Sequence, residues 1–166
     1  MNLSAVLIAS ISNILIISAV ILKVPMGSPY IHFTKVLNQT SWIFFVKSCL
    51  DAKIGLFQNN SQSSIMYEIV LGAGLNSYSV LRRNVDTGNL RFNWGPALDC
   101  NKFRPFWIDW SNSGIAIGQG TFVGIDEMIV YSNPNQMVPS FIAVSSYRYS
   151  AFSGLWMLQS TCAINT

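Results

Sequence analysis

The sequence predicts an all-β fold: an antiparallel β-sandwich, jelly-roll-like, forming a single domain after an N-terminal signal peptide. Three observations carry that prediction. From residue 30 onward apolar residues recur with a period of two over short runs, the pattern of strands with one dry and one wet face. Clusters of Gly, Asn, Pro and Ser separate those runs, at the roughly eight- to twelve-residue spacing of sandwich turns. Beyond the leader no stretch carries an apolar stripe at i, i+3, i+4 and i+7, so the crossover helices of a parallel sheet are missing.

The chain begins with a run almost without charge, LSAVLIASISNILIISAVIL over residues 3–22, followed by Lys23 and the turn-forming stretch VPMGSP. About 20 apolar residues cross a bilayer, so a signal anchor is one reading. Ser4, Ser10, Ser12, Asn13 and Ser18 interrupt the run and helix breakers end it, which favours a cleaved signal peptide over residues 1–24. Processing enzymes need a small residue before the cut. Ala19, Gly27 and Ser28 supply one, placing cleavage between 19 and 28 and leaving no stable membrane span in the mature form.

The domain then occupies residues 30–160. Its strands are expected near 31–37, 42–49, 52–57, 65–71, 78–83, 90–94, 105–110, 114–118, 127–131, 141–147 and 154–159. In IMYEIVL, Ile65, Tyr67, Ile69 and Leu71 face one way and Met66, Glu68 and Val70 the other. Asp86-Thr-Gly88-Asn89, Ser111-Asn-Ser-Gly114 and Asn133-Pro-Asn135 are turns.

Only 10% of residues are charged, well below the roughly 25% usual for soluble domains, so Ser, Asn, Gln and Thr must provide the wet surface. Nucleic acid is not an expected partner, because the basic residues are scattered and only Arg82 and Arg83 adjoin, whereas phosphate binding needs a continuous stripe. Three cysteines, Cys49, Cys100 and Cys162, in an exported chain imply at least one disulfide and one leftover thiol. The sequons at Asn38 and Asn59 lie in polar loops and are candidate glycosylation sites.

Catalytic constellations are hard to assemble from these residues. The run EIVLGAG from Glu68 to Gly74 looks like a strand and nucleotide-binding glycine loop, but a helix must open after the glycines, and here another alternating segment follows. Gly118, Gly120 and Gly124 have the wrong spacing and read as bends or bulges. One histidine, His32, cannot supply both a base and a ligand set, so no metal site is expected. A carboxylate pair drawn from Glu68, Asp109 or Asp126 has no separation set by the sequence, and two-carboxylate hydrolysis depends on that distance. Trp42, Trp94, Trp110 and Trp156 read as core, while Trp107, on the opposite strand face to Phe106, Ile108 and Trp110, is the candidate stacking surface for a sugar or apolar ligand.

One ordered set of motifs carries a family resemblance. FVKSCLDAKIGL (Phe45 to Leu56), YEIVLG (Tyr67 to Gly72), NSYSVLRR (Asn76 to Arg83), PFWIDW (Pro105 to Trp110), GIAIGQG (Gly114 to Gly120) and Trp156 follow one another over about residues 42–158. The chain resembles the farnesoic acid O-methyltransferase domain family. That resemblance implies an extracellular or adaptor-like domain of arthropods and other animals, often placed beside other modules. It maps a shared polar signature onto Glu68, Asn76, Ser79, Arg82, Asp109 and Asp126. The sequence departs from the family pattern at Phe122 to Asp126, where a tryptophan-bearing stretch is expected, and at Ala73, where a second glycine is common.

The same residues also have a structural reading. Arg82 can brace neighbouring strands by pairing with Glu68 or Asp109, and Asn76 and Ser79 can close a loop through backbone hydrogen bonds. The expected function is therefore a secreted, extracellular, non-catalytic recognition domain for a glycan, an apolar small molecule or a protein. No cofactor is expected. The alternative is an O-methyltransferase acting on farnesoic acid or a related terpenoid carboxylate, which would require S-adenosylmethionine.

Overall fold

The computed structural model describes residues 4–8, 17–135, 138–146 and 154–160. It is a two-sheet antiparallel sandwich. The seven-stranded sheet holds, in spatial order, β1 (Ser4–Ile8), β2 (Ile17–Val24), β13 (Gly154–Ser160), β4 (Ser41–Lys47), β9 (Arg104–Asp109), β10 (Gly114–Gln119) and β11 (Glu127–Ser132). The six-stranded sheet holds β3 (Ile31–Lys35), β12 (Phe141–Ser146), β5 (Ala52–Phe57), β6 (Ile65–Gly72), β7 (Tyr78–Arg83) and β8 (Asn89–Trp94). All eleven strands expected from the alternation are present as β3 to β13, with ends within two residues of those read from the sequence.

Each strand forms where alternate side chains can be buried between the sheets. In β4 the run SWIFFVK buries Trp42, Phe44 and Val46 and leaves the intervening residues partly exposed. Phe44 is the centre of an aromatic stack: its ring lies 4.8 Å from Trp42, 5.6 Å from Trp156 and 5.9 Å from Phe106, centroid to centroid. Ile54, Leu56, Ile69, Leu71, Leu81 and Ile142 meet that layer from the six-stranded sheet.

The N-terminal residues contribute two further strands. β2 runs along β13 from Ser18 opposite Ser160 to Val24 opposite Gly154, and its Leu22 and Val24 belong to the core. Among the described residues β1 pairs with β2 alone. Among the described residues no helix is long and apolar enough to cross a membrane.

Cys49 and Cys100 form a disulfide, with Cα atoms 4.3 Å apart and a sequence separation of 51. Cys162 lies outside the described residues. Closing a loop of that length removes enough unfolded-state entropy to contribute about 4 kcal/mol. Cys49→Ser/Cys100→Ser is therefore expected to lose roughly that much stability, measured as a lower urea midpoint with little change in the native near-UV spectrum.

Candidate functional site

The outward face of the six-stranded sheet carries two charged side chains, Lys53 and Glu68, that are buried. Register dictates the arrangement. Glu68 on β6 stands directly opposite Arg82 on β7 and opposite Gly55 on β5, while Lys53 lies diagonally across β5, opposite Val70. Gly55 is required because a Cβ there would lie 2.3 Å from the Phe57 ring and 2.9 Å from the Tyr30 ring. The space it leaves admits Tyr30, whose hydroxyl donates to Glu68 Oε1 at 2.6 Å.

Glu68 is fully buried yet surrounded by donors. Arg82 Nη1 lies 3.3 Å from Oε2, the Asp86 backbone N–H donates to the same oxygen at 3.1 Å, and Lys53 Nζ lies 3.4 Å from Oε1. Asp86, on the turn after β7, accepts from both Lys53 and Arg82 at 3.0 Å. Arg82 Nε also donates to Asn89 at 3.0 Å. Two acids and two bases thus neutralise one another, which is the condition for keeping a carboxylate out of water. Lys53, Glu68, Asp86, Pro29, Tyr30 and Ser145 are among the residues lining a cleft of about 600 Å³.

Burial, reinforced by the adjacent Glu68 carboxylate, pushes the Tyr30 hydroxyl well above the ordinary tyrosine value of 10.0. Tyr30 therefore remains a donor. A folded-state value raised above the unfolded one means a contribution that is complete below about pH 10 and is lost as the pH rises from there through the folded value. The stability advantage of the native chain over Tyr30→Phe is expected to be constant from neutral pH to about pH 10 and to shrink above it, measured by urea unfolding at a series of pH values.

An aromatic shelf adjoins the charged network on the same face. On β7 and β8 the register sets Tyr78 opposite Trp94 and Val80 opposite Phe92. The Phe92 and Trp94 rings lie nearly parallel, 6.1 Å apart and inclined by 13°, and Tyr78 packs 5.4 Å from Trp94 and 5.7 Å from Phe92. Trp94 is 75% exposed and Phe92 45%. Because β8 is an edge strand, no neighbouring strand flanks these rings on that side. Arg82 follows two residues after Val80 on β7, about 7 Å further along the same face.

The residues singled out from sequence divide between the two sheets. Glu68 and Arg82 come together as the cross-strand pair described above. Asn76 spends its side chain on the backbone: Oδ1 accepts from Ala97 and Leu98 N–H, and Nδ2 donates to the Leu98 carbonyl. Ser79 is buried and its hydroxyl accepts from the Gly72 N–H. Gly72 to Asn76 joins the antiparallel strands β6 and β7 as a single turn, with Gly72 and Gly74 at φ of 66° and 57°. The glycines serve that left-handed turn. The register between β10 and β11 shifts between Ile117 and Gly118, a bulge as expected for that glycine group.

Asp109 and Asp126 sit on or beside the seven-stranded sheet. Asp109 accepts from the Ser111 N–H and hydroxyl, and Asp126 is exposed at the end of the loop that follows β10. The stacking surface expected at Trp107 is corrected by the structure. Trp107 is completely buried, its Nε1 donates to the Ile125 carbonyl at 2.9 Å, and its ring fills the space above Gly118, where a Cβ would lie 2.2 Å away. The loop after β10 covers that face of the strand. Trp94, expected in the core, is conversely the most exposed of the described tryptophans. Asn38 and Asn59 both lie at exposed turns. Among the described residues no group of three His, Cys, Asp or Glu side chains is placed to hold a metal ion.

Tyr30, Lys53, Asp86, Asn89 and the Tyr78, Phe92, Trp94 shelf were not among the expected site residues. The signal available for the shelf was the alternation of Leu90, Phe92 and Trp94 with Arg91 and Asn93. It marks a strand with an apolar face and says nothing of whether that face is covered.

The sandwich is shared with solved structures at low sequence identity. A carbohydrate-binding module of family 66 from Bacillus subtilis superposes with a TM-score of 0.55 at 9% identity, covering 94% of this chain and 90% of the module. A human galectin-16 variant superposes with a TM-score of 0.53 at 12% identity, over 79% and 96% of the two chains. The exoplasmic/lumenal domain of VIP36, in its Ca²⁺- and mannose-bound form, gives 0.52 at 7% identity over 99% and 85%. In sequence, "Uncharacterized protein 5" of Haliotis asinina is 32% identical over 125 residues, which cover 74% of this chain and 70% of that protein. Residues 25–159 match the family described as farnesoic acid O-methyl transferase, and since that match spans most of the sequence, the chain belongs to this family.

Proposed function

We propose that this chain is a secreted, non-catalytic recognition module whose ligand is a glycan, held on the outer face of the six-stranded sheet. The single observation that carries the reading is the exposed shelf of Tyr78, Phe92 and Trp94 beside the charged network of Arg82, Asp86 and Lys53. A sugar ring has an apolar face that stacks on an aromatic plane and an equatorial rim of hydroxyls that need donors and acceptors. The shelf provides the first, and Asn89, Asp86 and Arg82, further along the same face, provide the second. The network is pre-formed, since Glu68 and Asp86 already orient both cations, and little side-chain freedom is lost on binding. The same fold is found in a carbohydrate-binding module and in galectins, and the disulfide suits an oxidising compartment.

Glycan-array screening of the purified protein followed by calorimetry tests the reading. A saturable glycan ligand is expected, and Trp94→Ala should weaken it about 30-fold, the equivalent of about 2 kcal/mol for an aromatic anchor, without changing the unfolding midpoint. Absence of any glycan ligand, or binding indifferent to Trp94, would overturn it. The family description supplies a second reading, methyl transfer to farnesoic acid. Saturable S-adenosylmethionine binding together with methylation of farnesoic acid would establish that activity instead.

A further inference from the structure

We propose that the leader is cut after Ala19, so that the mature protein begins at Val20 and keeps the second half of β2 as part of its core. This rests on the export reading above. Sequence chemistry permits a cut after Ala19, Gly27 or Ser28, because each puts a small residue before the scissile bond. Tertiary structure separates them. Leu22 and Val24 are 3% and 0% exposed and lie in the central core cluster, Leu22 paired opposite Trp156 and Val24 opposite Gly154. The next residues are tied down as well: Ser146 Oγ donates to the Pro25 carbonyl at 2.6 Å and Ser145 Oγ to the Ser28 carbonyl at 2.7 Å.

A cut after Gly27 or Ser28 would remove that strand. It would strip β13 of one of its two partners, take Leu22 from beside Trp156 and remove Gly27 from the wall of the cleft beside Glu68. A cut after Ala19 keeps every described residue of the central core cluster, since Ala19, Val20 and Ile21 are only partly buried and Leu22 is the first described residue inside it. β2 then becomes the sheet edge. Exposed Lys23 and Pro25 suit it to that position, since a lysine and a proline discourage pairing with a further chain. The reaction is a peptide hydrolysis by the processing peptidase of the secretory pathway. Water adds across the Ala19–Val20 bond, its oxygen going to the Ala19 carbonyl carbon and its protons to the departing Val20 amine. The peptidase acts before the chain folds, so the secreted product is the one that still has its strand.

The full chain, expressed with a C-terminal tag in insect cells, tests this by intact mass and N-terminal sequencing of the protein in the medium. Val20 is expected as the first residue. Ala19→Leu should lower secreted yield by about tenfold or more through loss of the small residue before the cut, whereas Gly27→Asn/Ser28→Leu should leave the Val20 start in place. Secreted protein beginning at Ser28 or Pro29, or secreted uncut, would overturn the proposed cut while leaving export intact. Uncut protein held in cell membranes would overturn export and the cut together.

Discussion

Glu68→Gln is expected to cost about 3 to 5 kcal/mol of stability, the effect of breaking a buried ion pair by removing one partner. The carboxylate is fully buried and accepts from Tyr30, Arg82 and the Asp86 N–H, with Lys53 at 3.4 Å. An amide of the same shape keeps one acceptor, but its NH₂ faces donors it cannot pair with. Lys53, itself almost completely buried, is left with Asp86 as its carboxylate partner. Urea unfolding of Glu68→Gln, Lys53→Met and the double variant measures the coupling. The double variant should recover part of the loss, because a charge-free pair no longer carries an uncompensated cation. A loss below about 1 kcal/mol in Glu68→Gln would place the network in the class of solvated surface pairs.

The tryptophans provide the second large effect. Trp107→Ala and Trp156→Ala are each expected to cost about 3 to 5 kcal/mol, as for other large aromatics removed from packed interiors. Both rings are 0% exposed, and Trp107 additionally surrenders its hydrogen bond to Ile125, which holds the loop after β10. Trp94→Ala should change stability by no more than about 0.5 kcal/mol, since its ring is three-quarters exposed. Thermal and urea unfolding of the three variants separates them. A Trp107→Ala loss close to that of Trp94→Ala would return Trp107 to the surface and restore it as a stacking residue.

Motif order and alternation made most of the framework legible before any coordinates. IMYEIVL, SWIFFVK and GIAIGQ read as strands because the side-chain period of a strand is a local property, repeated every two residues. The Glu68–Arg82 pair was legible as a possibility because two charged residues on neighbouring outward faces have few other ways to be satisfied. The partners that complete it were not. Tyr30 precedes β3, Lys53 lies on β5 and Asp86 is on a turn, and it takes the register across β3, β12, β5, β6 and β7 to bring them beside Glu68. The pairing of Cys49 with Cys100, across 51 residues, was likewise one of several combinations open to three thiols.

The eleven strands β3 to β13, their turns and the family are legible in the sequence, because each is written in short contiguous patterns. Which apolar faces are dry depends on how the sheets and loops pack. Trp107 and Trp94 both lie on alternating strands, and nothing within either strand distinguishes them. Trp107 is on an interior strand under a covering loop, and Trp94 is on the edge strand β8 with its outer face uncovered. The N-terminal apolar run shows the same division: it reads as an export signal, but whether Leu22 and Val24 belong to the core depends on their pairing with β13, 130 or more residues away in the chain. Burial is a property of where distant segments meet, and hydrophobicity along the chain records only that a side chain is suited to it.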